Sequence, residues 1–214
     1  AAILARRSAD GSDTLLADNT FQQGTRPGQW RFTPDRPFAF APGWGTVKPF
    51  VLKDAAQFLP GPPPALTGRR YARDVAEVKR LGGDGVTTPS ARTAQQTQTA
   101  LFWLQSSPLV WNQVARSVLA SHHLDLWEQA RLFGLLNMAL ADGYIASFTT
   151  KYHYRFWRPV TAIRLAGSDG NPRTHPDPTW TPLATTPRIS GVRSLRPSHH
   201  RRPPGVLMYR ENKI

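Results

Sequence analysis

The stretch Lys151–Tyr–His–Tyr–Arg–Phe–Trp–Arg158–Pro159 places a lysine and an arginine seven residues apart, directly before a proline. On a continuous α-helix seven residues turn through about 700°, so Lys151 and Arg158 would lie on one face, two turns apart. Pro159 is expected to end or kink that helix just beyond Arg158. A lysine offers a compact charge and an arginine a planar fork of donors, which together suit a tetrahedral oxyanion such as phosphate. The spacing therefore predicts an oxyanion site, and the simpler alternative is a solvated basic face.

The residues before this stretch predict a long helix and favour the oxyanion site over the solvated face. Asp125 and Glu128 have the spacing of a capping pair, and the helix that they open runs from Leu126 towards Trp157. Between Leu132 and Ile145 its sequence is apolar nearly all round, which is typical of a helix at the buried centre of a bundle. Long cations at the end of such a helix, among aromatic side chains, usually have a partner.

Three shorter helices are predicted upstream, over residues 69–81, 91–105 and around 111–119. Residues 26–66 hold nine prolines together with seven aromatic side chains. Prolines disfavour helix and central strand, and a disordered linker rarely carries so many rings. No segment shows the alternation of a strand. We therefore predict an all-α helical bundle with an ordered, extended N-terminal arm whose rings pack on the helices.

Blocks spread over nearly all of residues 1–187 resemble the bacterial branch of the vanadium-dependent haloperoxidase superfamily, which shares its fold and site with the type 2 phosphatidic acid phosphatases. These blocks are Gly28–Gln–Trp30, Trp44–Gly–Thr–Val–Lys–Pro–Phe50, Gln57–Phe–Leu–Pro–Gly–Pro–Pro–Pro–Ala–Leu66, Arg92–Thr–Ala–Gln–Gln–Thr97, Ala139–Leu–Ala–Asp142, Lys151 to Arg164, Asp169–Gly–Asn171 and Asp177–Pro–Thr–Trp–Thr–Pro182. The resemblance implies that Lys151 and Arg158 bind the oxyanion. That anion would be vanadate, as cofactor, in a haloperoxidase, or the phosphoester, without a cofactor, in a phosphatase. The resemblance does not separate halide oxidation from phosphoester hydrolysis.

The family carries two further site motifs, and the printed sequence contains neither in its usual form. The second is Pro–Ser–Gly–His, which binds the oxyanion and supplies an acid–base histidine. The third supplies an arginine and the histidine that attacks phosphorus or coordinates vanadium. Arg196–Pro–Ser–His–His200 lies near the place of the second motif but lacks the glycine. We therefore expect a bundle that is incomplete at its C-terminus, an inactive polypeptide and a vanadate site that stays unoccupied.

A slip of one nucleotide near codons 187–189 would account for the altered second motif. Permitted codons for residues 189–198, taken one nucleotide later, spell Phe–Pro–Glu–Tyr–Val–Pro–Ser–Gly–His. We accordingly divide the chain into residues 1–187, the N-terminal part of a haloperoxidase/phosphatase-like helical domain, and residues 188–214, a basic Arg/Pro-rich tail that is out of frame and disordered. A biological frameshift and a sequencing error are both open explanations.

Four other polar positions are weaker candidates. Asp142 would either orient a site arginine or serve as a hydrogen-bonded structural carboxylate. His153 lies beside Lys151 in the sequence and would either support the site or belong to an aromatic cluster. Asn137 is predicted to form a hydrogen bond between helices. His199–His200 has no carboxylate close by in the tail and makes a poor metal site, so no metal site is predicted.

The net charge of +13 indicates an anionic partner. The distribution of the charge along the chain indicates which kind of anion is favoured. Residues 187–214 hold seven lysines and arginines against one glutamate, a net +6, which leaves +7 for the other 186 residues. A small oxyanion or phosphoester at Lys151 and Arg158 is therefore the favoured partner. The alternative is a non-catalytic protein that binds nucleic acid or an anionic surface through its basic tail, and a plain scaffold is a third interpretation.

The absence of cysteine excludes disulfides and Cys-ligated metal sites. We predict a soluble chain without a transmembrane segment, because Asn137 and Asp142 interrupt the longest apolar run. No signal peptide is evident, and the compartment, including export from a bacterium, is left open. An uncovered apolar face on the Leu132–Ile145 helix is expected to cause self-association.

Overall fold

The structure, a computed structural model, describes residues 2–34 and 36–185. In that part of the chain the elements are α1 (Ala2–Arg7), β1 (Ala17–Asp18), β2 (Ala39–Phe40), α2 (Arg69–Gly82), α3 (Ala94–Trp103), α4 (Ser107–Leu119), α5 (Leu126–Tyr154) and α6 (Pro159–Arg164). Short 3-10 turns cover Trp44–Thr46 and Ala166–Ser168. The predicted helical bundle is confirmed. The predictions for residues 188–214, including the His199–His200 pair, fall outside the described residues.

A two-stranded antiparallel ladder inside the arm was not predicted. Ala17 pairs with Phe40, and Asp18 pairs with Ala39. Strands of two residues are too short to show an alternating pattern in the sequence. The ladder brings the backbone of Phe40 to the side of α5, where the Phe40 and Phe148 rings lie 5.8 Å apart. The predicted packing of arm rings on the helices is therefore observed at this point.

Two helices begin at capping boxes. At α5 the Asp125 carboxylate accepts a hydrogen bond from the Glu128 N–H at 2.8 Å, and the Glu128 carboxylate accepts one from the Asp125 N–H at 2.9 Å. Thr93 and Gln96 make the same reciprocal pair at α3. Each box satisfies N–H groups that a first helical turn leaves without partners. The start of α5 is thus decided by local sequence, as predicted.

Within the described residues α5 is not the buried centre of a bundle, and the uncovered face that the sequence predicted between Leu132 and Ile145 is observed. Between residues 132 and 145 only Asp142 and Ile145 are buried, and Leu135 exposes 52% of its surface. The helix packs against α4 and against the Trp44–Thr46 turn, and the large side chains of Leu126, Trp127 and Leu135 are exposed. Across the α4 contact, the Asn112 and Asn137 side chains exchange hydrogen bonds of 3.1 and 3.2 Å, as predicted for Asn137.

By length and composition α5 is apolar enough to cross a bilayer, with a mean hydropathy of 1.2 over its most apolar 18-residue window. Core helices of soluble proteins pass the same test, so the finding is weak evidence on either side. The absence of a transmembrane segment and the self-association through the uncovered face therefore stay predictions.

The best-packed part of the core lies where α2, α6 and the segment after α6 meet. Its buried members are Tyr71, Val75, Trp157, Ala162, Ile163 and Trp180. The indole N–H of Trp180 donates to the carbonyl of Lys79 at 3.1 Å, which joins the segment after α6 to α2. Because Trp157 belongs both to this core and to the Lys151–Arg158 stretch, the core holds the end of that stretch in place.

Candidate oxyanion site

The Lys151–Arg158 stretch is not one continuous helix. α5 ends at Tyr154, and Arg155 adopts a left-handed backbone with φ 44° and ψ 44° while its N–H donates to the Lys151 carbonyl. Arg158 is the N-cap residue of α6, and Pro159 is the first residue of that helix. The prediction that Lys151 and Arg158 share one helical face two turns apart is therefore wrong.

Backbone pairing with the arm interrupts the helix. The Trp30 N–H donates to the Arg155 carbonyl at 2.6 Å, and the Trp157 N–H donates to the Gly28 carbonyl at 2.9 Å. Gln29 forms an antiparallel bridge with Phe156, the residue between Arg155 and Trp157. Gly28 has a φ of 81°, a left-handed conformation that favours glycine. Residues 155–157 therefore pair with residues 28–30, and pairing with this distant segment overrides the local helical pattern.

Trp157 anchors the extended segment in the core. Its side chain is 1% exposed. The Tyr71 hydroxyl and the Trp157 indole N–H lie near one another, and neither makes a hydrogen bond of standard geometry within the described residues. Burial, followed by the charge of the Asp169 carboxylate, raises the pKa of Tyr71, so its phenol stays neutral. The backbone leading into Arg158 is thus held by the arm on one side and by this packed aromatic pair on the other.

Lys151 and Tyr152 converge on one oxygen atom of the arm. The Tyr152 hydroxyl donates to the Phe40 carbonyl at 2.5 Å, and the Lys151 Nζ lies 3.5 Å from the same carbonyl oxygen. Lys151 Nζ is also 4.9 Å from the ring centroid of Phe148 and 4.8 Å from that of Tyr152. Rings at these distances stabilise a cation through their electron-rich faces.

The positive charge of Arg158 affects the pKa of Tyr152. Burial raises the pKa of Tyr152 to about 12, the positive charge of Arg158 opposes that rise, and the Asp18 carboxylate adds to it. Arg158 therefore lies within electrostatic reach of the Tyr152 phenol. Although α5 ends between them, Lys151 lies against the Tyr152 ring and the charge of Arg158 affects the Tyr152 hydroxyl.

Asp142 lies apart from this pair and anchors the arm. Its carboxylate accepts backbone N–H donors from Phe50 at 2.7 Å, Val51 at 2.7 Å and Leu52 at 2.9 Å. Burial alone would raise the pKa of Asp142, but the three donors outweigh burial and lower it below its usual value. Nine residues of helix separate Asp142 from Lys151, a rise of about 13.5 Å. Of the two predicted roles, the structure places Asp142 in that of a hydrogen-bonded structural carboxylate.

His153 is exposed at the surface of α5, and its ring stands edge-on to the Tyr154 ring at 4.7 Å. This position fits the aromatic-cluster alternative. Sequence reasoning overlooked Tyr152 and the Phe40 carbonyl. Tyr152 stood next to Lys151 in the quoted stretch, whereas a backbone carbonyl has no signature in a sequence.

Comparisons relate this chain to a known family, to a characterised enzyme and to a solved structure. Residues 131–199 match the family model described as the VCPO second helical-bundle domain. A vanadium chloroperoxidase from Curvularia inaequalis is 27% identical over 172 residues, which are 70% of this chain and 28% of the chloroperoxidase. The crystal structure of a bacterial vanadium-dependent iodoperoxidase is similar with a TM-score of 0.61 and 27% sequence identity, over 78% of this chain and 42% of that one. The chain is similar to proteins of the vanadium-haloperoxidase superfamily.

These similarities support the haloperoxidase superfamily and confirm the resemblance drawn from the sequence. The chain spans 28% of the chloroperoxidase and 42% of the iodoperoxidase, so each relative contains much that this chain does not match. The matched range of the family model includes the whole Lys151–Arg158 stretch and extends past residue 187.

The donors at the candidate site suit vanadate, the oxyanion form of vanadium, better than a bare metal cation. Among the described residues no group of three or more His, Asp or Glu side chains is placed to hold a metal ion. Lys151 and Tyr152 instead direct an N–H and an O–H donor at one oxygen, beside the charge of Arg158. Such donors bind the oxygens of a tetrahedral anion.

Proposed function

We propose that the chain is part of a vanadium-haloperoxidase/acid phosphatase-like enzyme and binds a tetrahedral oxyanion, vanadate or a phosphoester, between Lys151 and Arg158. With only these two ligands of the family's site the affinity is poor, so the site stays unoccupied unless the anion is added in excess. The observation that carries the proposal is the convergence of the Lys151 and Tyr152 donors on one oxygen atom, at a tyrosine whose pKa is also affected by the charge of Arg158. Similarity to the superfamily supports the proposal, because both relatives named above are vanadium enzymes by their names.

The two cations would divide the work of holding the anion. Lys151, at the end of α5, supplies a compact charge, and Arg158, at the start of α6, supplies a planar fork that matches two oxygens. Fixed cations of this kind also balance negative charge that accumulates on oxygens during a reaction. Vanadate, when bound, would supply the chemistry that activates hydrogen peroxide for halide oxidation.

We propose that the polypeptide of this sequence is inactive by itself in both reactions. The printed sequence contains neither the Pro–Ser–Gly–His motif nor the motif with the nucleophilic histidine. Covalent phosphoryl transfer has no route without its nucleophile. A frame slip near codons 187–189 explains the altered motif, and sequencing the gene across these codons tests it. Stop codons or the absence of Ser–Gly–His in the neighbouring frame would exclude the slip.

Neutralising Arg158 should weaken oxyanion binding far more than neutralising its neighbour Arg155. Arg158→Gln is expected to lower orthovanadate affinity about 100-fold, because two charge-assisted hydrogen bonds of about 1.5 kcal/mol each are lost. Lys151→Gln loses one such contact and should cost about tenfold. The measurement is vanadate titration by calorimetry or by vanadium-51 nuclear magnetic resonance.

Arg155→Gln is the charge-matched control. The Arg155 guanidinium lies 5.0 Å from the ring centroid of Phe21, so it interacts with the arm, and its loss changes the net charge as much as the loss of Arg158 does. The affinity of Arg155→Gln should stay within about twofold of the wild type. Equal losses in all three variants would show that only net charge matters and would overturn the specific site.

A second candidate function rests on the charge of residues 187–214, a net +6. If this tail binds nucleic acid, the affinity for duplex DNA will fall steeply with salt, because phosphate contacts release counterions. Removing residues 187–214 should then abolish the salt-dependent binding in a fluorescence-anisotropy titration. Unchanged DNA binding after the removal would discard this candidate.

A further inference from the structure

We infer that the Tyr152 hydroxyl is a third ligand of the oxyanion, and that an anion oxygen and the Phe40 carbonyl oxygen compete for the same donors. The inference rests on the proposed function, because it adds a residue to the site of Lys151 and Arg158. A specific consequence is that the Phe40 carbonyl leaves its contact with Tyr152 on α5 when the anion binds.

The geometry around the Phe40 carbonyl resembles the binding of an anion oxygen. A phenol O–H at 2.5 Å and an ammonium group at 3.5 Å approach the same oxygen, and they come from consecutive residues of one helix. Convergence of a neutral donor and a cation on one acceptor is typical of oxyanion binding in proteins. A carbonyl oxygen carries only a partial negative charge, so its hydrogen bonds with these two donors are weaker than those of an anion oxygen would be.

The electrostatics keep Tyr152 in the form that binding requires. Burial raises the pKa of Tyr152 to about 12, so the phenol is protonated at neutral pH and donates a hydrogen bond. The charge of Arg158 reaches the same hydroxyl. An anion that accepts the Tyr152 hydrogen bond would therefore lie within the fields of both Lys151 and Arg158.

The arm segment that carries Phe40 has few backbone hydrogen bonds to other segments, although Ala39 and Ala41 are buried. Its ladder comprises two residue pairs, Ala17 with Phe40 and Asp18 with Ala39. The next residue, Ala41, has a φ of 49°, a left-handed conformation that is unfavourable for a side chain other than glycine. Hydrogen bonds to a charged acceptor are about twice as strong as those to a neutral one, so a bound anion can displace this carbonyl.

Tyr154 provides a matched comparison. Its hydroxyl donates to the carbonyl of Pro60, another residue of the arm, so Tyr152 and Tyr154 each tie α5 to the arm by the same kind of bond. Two residues of helix separate them, a rotation of about 200°, which directs the two side chains to opposite sides of α5. Tyr154→Phe therefore removes a tyrosine–carbonyl bond without touching the proposed site.

The test compares orthovanadate and inorganic phosphate binding to the wild type, Tyr152→Phe and Tyr154→Phe by calorimetry. Tyr152→Phe should bind about tenfold more weakly, because it loses a bond to a charged acceptor while the wild type gives up only a bond to a neutral one. Tyr154→Phe should bind like the wild type. In parallel, amide hydrogen exchange at residues 39–41 of the wild type should become faster when the anion is added.

Each outcome is decisive. Weaker binding confined to Tyr152→Phe, with faster exchange at residues 39–41, supports the inference. Equal or tighter binding by Tyr152→Phe, or unchanged exchange at a saturating anion concentration, overturns it and leaves the site of Lys151 and Arg158 intact. Failure of the wild type to bind either anion overturns the proposed function and this inference with it.

Discussion

Replacing Trp157 with alanine should lower the free energy of unfolding by about 3–5 kcal/mol, the usual cost of deleting a large buried aromatic side chain. Trp157 is 1% exposed and packs against Tyr71, Val75, Ile163 and Trp180. The cavity left between α2 and α6 cannot close easily, because backbone bonds from Trp157 to Gly28 and from Trp30 to Arg155 hold the segment in place. Urea denaturation followed by far-ultraviolet circular dichroism measures the change.

Trp127 is the matched control for that experiment. It is the same residue type on the first turn of α5, but 82% of its surface is exposed. Trp127→Ala should change the free energy of unfolding by less than about 0.5 kcal/mol. Similar losses in both variants would mean that Trp157 does not pack as the structure shows.

Loss of Trp157 should also reach the oxyanion site, because Trp157 directly precedes Arg158. Where Trp157→Ala remains folded, the start of α6 loses its anchor in the core, and the guanidinium of Arg158 loses a fixed position. A misplacement of about 1 Å is enough to weaken contacts that depend on geometry. Vanadate titration of the folded variant should therefore show reduced affinity as well as reduced stability.

Asp142→Ala should lower the free energy of unfolding by about 2–4 kcal/mol, because three backbone N–H groups lose a charged acceptor. Those donors belong to Phe50, Val51 and Leu52, so the variant releases this part of the arm from α5. Amide exchange at residues 50–52 should rise along with the loss of stability. Asp13→Ala, which removes an exposed carboxylate elsewhere in the arm, is the control and should be nearly neutral.

The contribution of Asp142 has a defined pH dependence. Its pKa in the folded chain is lowered, so its stabilisation is fully present above the unfolded value of about 3.9 and is lost as the pH falls through the folded value. The difference in unfolding free energy between the wild type and Asp142→Asn should therefore be constant near neutral pH and shrink below about pH 4. A constant difference down to strongly acidic pH would contradict this assignment.

Local sequence was sufficient for the presence of α2, α3 and α4, for the start of α5 and for the resemblance to the family. The capping boxes at Thr93 and Asp125 place the starts of α3 and α5, because their bonds join residues three apart. The interhelical hydrogen bond of Asn137 was likewise predictable, because a lone amide in an apolar helix usually finds a partner. The quoted blocks of sequence carry the resemblance to the haloperoxidase superfamily, which the comparisons support.

The tertiary structure alone decided the path of the backbone between Lys151 and Arg158. Periodicity predicted a helix through Arg158, but residues 28–30 pair with residues 155–157 and end α5 at Tyr154. The role of the Phe40 carbonyl could not be predicted for the same reason, because it depends on what the rest of the chain places beside α5. Backbone hydrogen bonds between distant segments involve atoms that every residue has, and so they leave no pattern of side chains to recognise.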